Sequence, residues 1–265
     1  MVRVVSSTSP KVIYQKPESL EDRATHYCAG CGHGMIQRLI AEIIDELKIR
    51  ERTICVSSIG CSVTSYNYFK VDGLESAHGR APAVATAIKR CHPNLIPFTM
   101  QGDGDLAAIG TAETVHACAR GENITIIFVN NAIYGMTGGQ MAPTTLLGMN
   151  STSTPGGRQA SQAGYPIRVC EMLATLDGPA YIARTSLHNP AAVRKTRQAI
   201  LLAFRTQLAG LGLSLVEVLS PCPVNWKMSP VNSLEWIAQN MVKQYPLGDF
   251  KVIEGVSNLK KGDRI

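Results

Sequence analysis

Charged residues are scarce in this chain of 265 residues, at 17% against 45% hydrophobic residues. No apolar run approaches the length of about 20 residues that a membrane-spanning helix needs. Residues 1–10 are polar and lack the apolar core of a secretory signal peptide. The net charge of +6 forms no basic stripe with interleaved aromatics, so nucleic acid binding is not indicated. The lack of a membrane segment and of a signal peptide favours a cytoplasmic globular chain with reduced thiols. The low fraction of charged residues indicates an apolar surface, which is typical of a subunit in a larger assembly.

The order of apolar runs and amphipathic stretches indicates one large α/β fold. Strands are predicted at 95–100, 124–129, 180–185 and 213–219, and a long helix at 190–208. Such alternation predicts a mostly parallel sheet flanked by helices on both faces. We divide the chain into an N-terminal arm (1–25), a central domain (26–245) and a C-terminal tail (246–265).

A Gly-Asp-Gly-Asp turn at 102–105 directly follows one predicted strand and opens a helical stretch at 106–119. The glycines, Gly102 and Gly104, allow a sharp turn and bring N–H groups close to a phosphate, toward which the helix start points. A nicotinamide-binding fingerprint fits less well. The segment lacks the third glycine and carries an acid inside the phosphate turn.

An acid suits a phosphate turn when a divalent cation lies between the two anions. Asp103 and Asn131 each follow the carboxyl end of a predicted strand, where ligands collect in parallel sheets. Carboxylate and amide oxygens, together with a diphosphate, are ligands that Mg²⁺ prefers. We therefore interpret Asp103 and Asn131 as two ligands of one metal ion, although each turn could also be an ordinary one.

A Cys-x-x-Cys loop, Cys28 to Cys31, precedes an amphipathic run at 35–47. A thioredoxin-like redox pair would follow a strand, and here only the polar arm precedes the loop. A structural zinc site needs a second pair of ligands, and His33 supplies at most one. An iron–sulfur cluster takes four thiolates, which can come from distant parts of the chain.

The remaining cysteines fall into two groups. Four lie in or beside apolar or helical runs and are predicted to be small buried core residues: Cys55, Cys91, Cys118 and Cys170. Cys61 and Cys222 instead lie in loops at the carboxyl ends of predicted strands, on the side where Asp103 and Asn131 emerge. The candidate set of four thiolates is therefore Cys28, Cys31, Cys61 and Cys222.

The order of strand, GDG, helix, strand and NN resembles the thiamine diphosphate motif of thiamine-dependent enzymes. The resemblance implies that Asp103, Asn131 and the carbonyl of Ile133 hold Mg²⁺. It further implies that the diphosphate is lined by Gly104, Asp105, Gly135 and Met136. The fold is then the diphosphate-binding half of a thiamine diphosphate site.

Over residues 20–245 the segments CAGCGH, IGCS, HGR, GDGD and NNAIYGMTGGQ resemble the β subunit of a 2-oxoacid:ferredoxin oxidoreductase. The resemblance implies oxidative decarboxylation of a 2-oxoacid with coenzyme A, giving acyl-CoA, CO₂ and reduced ferredoxin. It assigns one [4Fe–4S] cluster to the four cysteines. It also implies an α subunit that supplies the activating glutamate, with small ferredoxin-like subunits as further partners. Ala29, where many members have proline, departs from the pattern and leaves the ligands in place.

The same resemblance assigns cofactor contacts to Ile59, Gly60 and Ser62. His78 would face the cofactor and act on the substrate carboxylate or as a proton donor, and otherwise is an exposed residue before a helix. Similarity in HGRAPAVAT and MTGGQMAPTT favours 2-oxoglutarate or a branched-chain 2-oxoacid. The irregular stretch 137–165 is predicted to be an ordered loop over the cofactor or against a partner.

Two other functions remain open at this point. A non-oxidative thiamine diphosphate-dependent decarboxylase subunit would need no cluster. A cysteine-ligated redox sensor or scaffold would keep the fold but would not carry out thiamine diphosphate-dependent catalysis.

Overall fold

The computed structural model describes residues 14–262 and shows one seven-stranded sheet. The strands are β1 Thr53–Ser57, β2 Asp72–Glu75, β3 Ile96–Gly102, β4 Thr125–Asn130, β5 Pro179–Ser186, β6 Leu213–Leu219 and β7 Gly248–Val252. Their spatial order is β2-β1-β3-β4-β6-β5-β7, parallel throughout except for β7, which pairs antiparallel with β5. The mostly parallel sheet predicted from the sequence is confirmed.

Helices cover both faces of the sheet. They are α1 Gly32–Leu47, α2 Ala81–Cys91, α3 Thr111–Ala119, α4 Ala160–Ala163, α5 Val169–Ala174, α6 Pro190–Leu208, α7 Pro223–Trp226, α8 Pro230–Trp236, α9 Val242–Gln244 and α10 Glu254–Gly262. Short 3₁₀ turns lie at Arg50–Arg52 and Ser65–Asn67, and π-helical turns at Asp105–Ile109 and Ile237–Met241. Among the described residues, no helix combines the length and apolar character that crossing a membrane requires.

The central strands are apolar on both faces because both faces are covered. In β4, Ile127 and Val129 join the core under α1 and α6, whereas Ile126 and Phe128 join the core under α2, α3 and α5. This alternation follows from the two-residue period of a strand. Because hydrophobic cores pack against both faces of the sheet, the strand ends that carry the loops of the carboxyl edge are held in place.

Three sequence expectations differ from the observed elements. The segment assigned to a C-terminal tail contains β7 and α10, and Val256 of α10 is fully buried in the core under α6. The edge strands β2 and β7 escaped the sequence analysis because they are partly exposed and lack an apolar run. The helix expected at 106–119 is interrupted at Gly110, where a Cβ atom would lie 2.7 Å from the carbonyl oxygen of Gly79.

The buried-thiol prediction holds for Cys55, Cys118 and Cys170, each fully buried, but is wrong for Cys91. Cys91 is the last residue of α2, where the helix leaves the sheet and its side chain is exposed. Of the predicted N-terminal arm, residues 1–13 lie outside the described part of the chain. Residues 14–25 contain no helix or strand, only a bridge between Leu20 and Phe69.

Candidate cofactor site

A cleft of about 170 Å³ opens at the carboxyl ends of the central strands. The chain leaves β1 toward β2 on one side and returns to β3 on the other, so a crevice forms where the strand order reverses. The lining residues are His33, Ile59, Gly60, Cys61, His78, Gly102, Asp103, Gly104, Asp105, Ile109, Asn131, Ile133, Tyr134, Gly135, Met136 and Thr137. Of the residues predicted to contact the cofactor, Ser62 does not line this cleft. Ser62 is buried beside the cleft, and its hydroxyl has no hydrogen-bond partner within residues 14–262.

Three oxygens meet in this cleft, from Asp103, Asn131 and Ile133, and we call them the cation half of the site. The end of the Asn131 side-chain amide lies 2.7 Å from two acceptors, Asp103 Oδ2 and the Ile133 carbonyl oxygen. Without a cation the amide turns its nitrogen toward them and donates to both, whereas a bound cation would draw its oxygen to the same place. Three oxygens of the type that Mg²⁺ prefers are thus assembled together.

Asp103 is almost fully buried and receives few donors. Its Oδ1 accepts the hydroxyl of Thr144 at 2.5 Å, and its Oδ2 accepts the N–H of Asn131 at 3.0 Å. Burial raises the pKa of Asp103 to about 7, although these hydrogen bonds act in the opposite direction. A bound dication would remove that penalty, because opposite charge stabilises the carboxylate.

The turn that carries Asn131 is held at each peptide group. Ala132 has a left-handed backbone, φ +57°, which is unfavourable for a residue with a Cβ atom. Its N–H donates to the side-chain oxygen of Asn130 at 3.1 Å, and its carbonyl accepts the hydroxyl of Thr145 at 2.6 Å. The indole N–H of Trp226 donates to the carbonyl of Asn131 at 3.1 Å. Sequence reasoning missed these contacts, because Thr145 and Trp226 come from distant segments without a local motif.

The glycines of the GDGD turn act differently from the expectation. Gly104 has an ordinary helical φ of −70°, so no left-handed turn requires it. A Cβ atom there would lie 2.9 Å from the ring of Tyr134. At Gly102 and at Gly60 an added Cβ would meet nothing within 4 Å, although both residues line the cleft. These two glycines therefore leave open a space that a ligand can fill.

Asp105 differs from Asp103, because its carboxylate is saturated by the protein. Oδ1 accepts the N–H of Gly79 at 2.6 Å, the hydroxyl of Ser58 at 2.6 Å and Nδ1 of His78 at 2.7 Å, and Oδ2 accepts the amide of Gln101 at 2.5 Å. The Asp105 side chain is thus committed to internal contacts, which leaves its main chain for the predicted role beside a diphosphate. A carboxylate at Nδ1 favours the tautomer of His78 whose Nε2 is an acceptor.

The four candidate cysteines, which we call the thiol half of the site, adjoin the cation half. An added Cβ at Gly135 would lie 3.3 Å from Cys61 Sγ and 3.6 Å from Cys222 Sγ. Burial raises the pKa of the Cys31 thiol to about 11 and that of Cys61 to about 12, and the neighbouring thiols of the set act in the same direction. His33 Nδ1 lies 3.2 Å from Cys31 Sγ. All four thiols are free.

The thiol half is not arranged around one metal ion. Within residues 14–262, no three Cys, His, Asp or Glu side chains converge closely enough to hold a single ion. This disfavours the structural zinc site considered from the sequence, which requires tetrahedral ligands around one atom. A cubane cluster also takes four thiolates, and it spreads them over a larger volume than one ion does.

The stretch 137–165 is an ordered loop, built around the buried guanidinium of Arg158. Arg158 donates to six carbonyl oxygens, those of Ala142, Pro143, Thr145, Ala163, Gly164 and Tyr165. The loop in turn brings Thr144 to Asp103. At the mouth of the cleft, Met136 and Ile109 are 55% and 51% exposed, which is unusual for such apolar side chains grouped beside a site.

A larger cleft of about 620 Å³ lies between α6 and β7, away from these residues. Its charged groups are mostly engaged: Lys260 pairs with Asp249, which also accepts the hydroxyl of Tyr181. Cavity size therefore does not identify the functional site in this protein. The site is identified by the oxygens and thiols that converge at the carboxyl ends of the strands.

Comparison with known proteins agrees with the geometry. The family described as "Thiamine pyrophosphate enzyme, C-terminal TPP binding domain" matches residues 58–218. That range includes Asp103, Asn131 and Ile133. Fold and site together define a thiamine diphosphate-binding domain.

Individual relatives narrow the class. The chain is 45% identical over 251 residues to "Ketoisovalerate oxidoreductase subunit VorA" of Methanothermobacter marburgensis, covering 91% of this chain and 52% of the relative. It is 36% identical over 230 residues to "2-oxoglutarate synthase subunit KorB" of Methanocaldococcus jannaschii, covering 84% and 80%. The chain belongs to the family of 2-oxoacid:ferredoxin oxidoreductase subunits. It spans about half the length of the VorA relatives and most of the KorB relative.

A solved structure shows the same fold. It is "2-oxoglutarate:ferredoxin oxidoreductase from Magnetococcus marinus with 2-oxoglutarate, coenzyme A and succinyl-CoA bound", with a TM-score of 0.72 and 25% identity. The similarity covers 95% of this chain and 90% of that one.

Proposed function

We propose that this chain is the cofactor-binding subunit of an enzyme that oxidatively decarboxylates a 2-oxoacid with coenzyme A and passes the electrons to ferredoxin. The observation that carries the proposal is the meeting of three oxygens and four free thiols at one edge of the sheet. A thiamine diphosphate enzyme without electron transfer needs only the oxygens. The adjacent thiols favour the oxidative reaction over the non-oxidative decarboxylase and over a sensor.

Mg²⁺ would be held by the carboxylate of Asp103, the amide oxygen of Asn131 and the carbonyl of Ile133. The fit rests on the convergence of these three groups, with the Asn131 amide 2.7 Å from the other two, and on the burial of the Asp103 carboxylate, which a dication would offset. The diphosphate would enter the space left open at Gly102 and Gly60. When bound, thiamine diphosphate supplies the carbanion chemistry that cleaves a 2-oxoacid beside its keto group.

Cys28, Cys31, Cys61 and Cys222 would hold the [4Fe–4S] cluster, which accepts electrons singly when bound. Burial makes thiolates unfavourable in the free protein, so the positive charge of iron is what would stabilise them. Asn225 donates to Cys222 Sγ at 3.3 Å, a contact that would lower the negative charge on that ligand. Such a site requires reduced thiols, which supports a cytoplasmic location.

His78 would act on the substrate. Asp105 fixes the orientation of its ring at 2.7 Å, and its Nε2 has no hydrogen-bond partner among the described residues. His78 can therefore accept or donate a proton at Nε2, or bind the substrate carboxylate when it is protonated. Replacing His78 by Gln is expected to lower kcat about 100-fold with cofactor affinity unchanged. An unchanged kcat would remove His78 from the chemistry.

A partner subunit would complete the site. The exposed apolar side chains of Met136 and Ile109 at the mouth of the cleft are a surface that a partner can cover. Among the described residues lining the cleft, no glutamate is present to protonate the aminopyrimidine ring. The α subunit would supply that acid, and small ferredoxin-like subunits and ferredoxin would receive electrons.

The relatives named for ketoisovalerate and 2-oxoglutarate support a branched-chain 2-oxoacid or 2-oxoglutarate as the substrate. The test is anaerobic copurification of this chain with its partner, followed by methyl viologen reduction with 2-oxoglutarate, 2-ketoisovalerate and pyruvate. We expect coenzyme A-dependent reduction with one of the first two. Carbon dioxide release without reduction would identify a non-oxidative decarboxylase. A complex that binds no thiamine diphosphate would indicate a sensor or scaffold.

A further inference from the structure

An ion network with a fully buried centre adjoins the cation half of the site. Glu217 and Arg184 have no exposed side-chain surface, and Glu217 Oε2 accepts Nε of Arg184 at 2.8 Å. The same oxygen lies 3.0 Å from Cys170 Sγ, which donates to it. Arg184 also binds both oxygens of the half-buried Glu171, at 3.0 and 2.5 Å. Two carboxylates and one guanidinium leave the network with one net negative charge.

The other oxygen of Glu217 is directed at the cation half. Oε1 accepts the side-chain N–H of Asn130 at 2.7 Å, which fixes the amide of Asn130 in one orientation. The oxygen of that amide then accepts the N–H of Ala132 at 3.1 Å and holds its left-handed backbone. Ala132 is the residue between Asn131 and Ile133. The orientation of one buried amide thus controls where both of their oxygens point.

We propose that Glu217 is a positioning residue for the divalent cation: its carboxylate orients Asn130, and Asn130 holds the turn that aims the oxygens of Asn131 and Ile133. The inference rests on the proposed function, because it takes the cation to be the Mg²⁺ of that site. Arg184 pairs with Glu217 at 2.8 Å, and its opposite charge offsets the cost of burying the carboxylate.

The hydrogen-bond pattern predicts how two single variants and their combination should behave. In Glu217→Gln the side-chain amide must present its nitrogen either to Arg184 or to Asn130, and both are donors. In Asn130→Asp the new carboxylate lies against Glu217, and two anions repel. In the double variant Asn130→Asp with Glu217→Gln, the glutamine nitrogen donates to Asp at position 130. Its oxygen accepts from Arg184, and Asp at 130 still accepts from Ala132. The pattern and the net charge are restored.

The experiment measures Mg²⁺-dependent binding of thiamine diphosphate to the assembled complex by calorimetry. Each single variant is expected to weaken binding about 10-fold to 100-fold, the range for groups that support metal ligands. The double variant is expected to recover to within about threefold of the unaltered protein. Binding in Glu217→Gln equal to that of the unaltered protein, or a double variant no better than the weaker single one, overturns the inference.

Glu171→Gln is the matched control. It weakens the same buried network through Arg184 but leaves the contact between Glu217 and Asn130 intact. We expect lower thermal stability with unchanged cofactor affinity. If affinity instead falls in proportion to stability in both Glu171→Gln and Glu217→Gln, the role of Glu217 is merely structural and the inference fails.

A second measurement separates this inference from the proposed function. Amide hydrogen exchange of Ala132, in protein without cofactor, is expected to be slow, faster in each single variant, and slow again in the double variant. If the unaltered complex binds no cofactor, the proposed function fails, and the cation assignment fails with it. Exchange at Ala132 that does not change in Glu217→Gln overturns the positioning role, whatever the complex binds.

Discussion

The two halves of the site differ in how far the protein alone determines their geometry. In the cation half, the peptide groups around Asn131 are held by Asp103, Asn130, Thr145 and Trp226. Apart from the Asn131 amide, 2.7 Å away, no donor among the described residues reaches the Ile133 carbonyl, which faces the cleft. Such a site is organised before its ligand arrives, so binding requires little reordering.

The thiol half has the opposite character. Its cysteines come from the loop before α1, the loop after β1 and the loop after β6, and Cys28 is exposed. Among the described residues, His33 and Asn225 are the side chains that form hydrogen bonds with its sulfur atoms. Metal binding and local ordering are coupled in sites of this kind. The comparison teaches that the cation half is formed before Mg²⁺ and thiamine diphosphate bind. The thiol half would take its final geometry only when the [4Fe–4S] cluster binds.

The largest expected effect tests whether the thiol half depends on its metal. Cys222→Ser in the assembled complex is expected to remove iron and the broad visible absorbance, and to abolish methyl viologen reduction, because a cubane needs four thiolates. Thiamine diphosphate affinity should be retained, since the cation half does not use this sulfur. Cys91→Ser, at an exposed cysteine outside the set, is the control and should change neither property. Full iron content in Cys222→Ser would contradict the assignment.

The next effect tests the cation half by itself. Asp103→Asn is expected to weaken Mg²⁺-dependent binding of thiamine diphosphate about 100-fold, because the charged ligand is lost. Iron content should stay unchanged, which would demonstrate that the two halves are independent. Asp72→Asn, at an exposed position on edge strand β2, serves as the control for loss of a carboxylate. Calorimetry measures the affinity, and parallel loss of iron in Asp103→Asn would merge the two halves into one unit.

The features that the sequence could predict are those with a strong local pattern or a position at the end of a strand. Elements with a strong local pattern were predicted closely: α6 and β6 have the bounds expected from periodicity and from an apolar run. The proximity of Asp103 and Asn131 was predicted because they follow strands that are adjacent in the parallel sheet, whereas Ile133 was implied only by the family resemblance. Strand order at a carboxyl edge brings such residues together without further information.

What the sequence did not reveal is the support beneath those residues. Thr144, Trp226 and Glu217 contact the site across sequence separations of 41, 95 and 87 residues. None lies in a motif, and threonine, tryptophan and glutamate in apolar runs have many possible roles. Their function follows from the packing of distant segments, which only the folded structure defines. The sequence likewise did not reveal the four internal donors to the Asp105 carboxylate, while the predicted place of Asp105 beside the diphosphate stays a prediction for its main chain.

A smaller effect concerns the response to removal of each ligand. Chelation of Mg²⁺ is expected to leave the amides of residues 130–133 protected from hydrogen exchange, because protein groups hold that turn. Removal of iron is expected to increase exchange in residues 28–31 and 59–62, which have few internal hydrogen bonds. Exchange measured by mass spectrometry on the complex, before and after each treatment, gives the comparison. Equal loosening of both segments would show that the cation half is also formed by its ligand.

The smallest expected effect tests whether the backbone stiffness of Ala132, apart from the hydrogen bonds of the turn, contributes to cofactor affinity. Ala132→Gly relieves the left-handed backbone, worth about 1 kcal/mol, but gives the unfolded chain a similar amount of entropy. The free energy of unfolding should therefore change little. The turn gains access to other conformations, so cofactor affinity is expected to fall about threefold. Lys48→Gly makes the same exchange at a left-handed residue, φ +53°, at the end of α1, and should leave affinity unaltered. If Ala132→Gly binds the cofactor as tightly as the unaltered chain, the hydrogen bonds around the turn suffice without the stiffness of the residue.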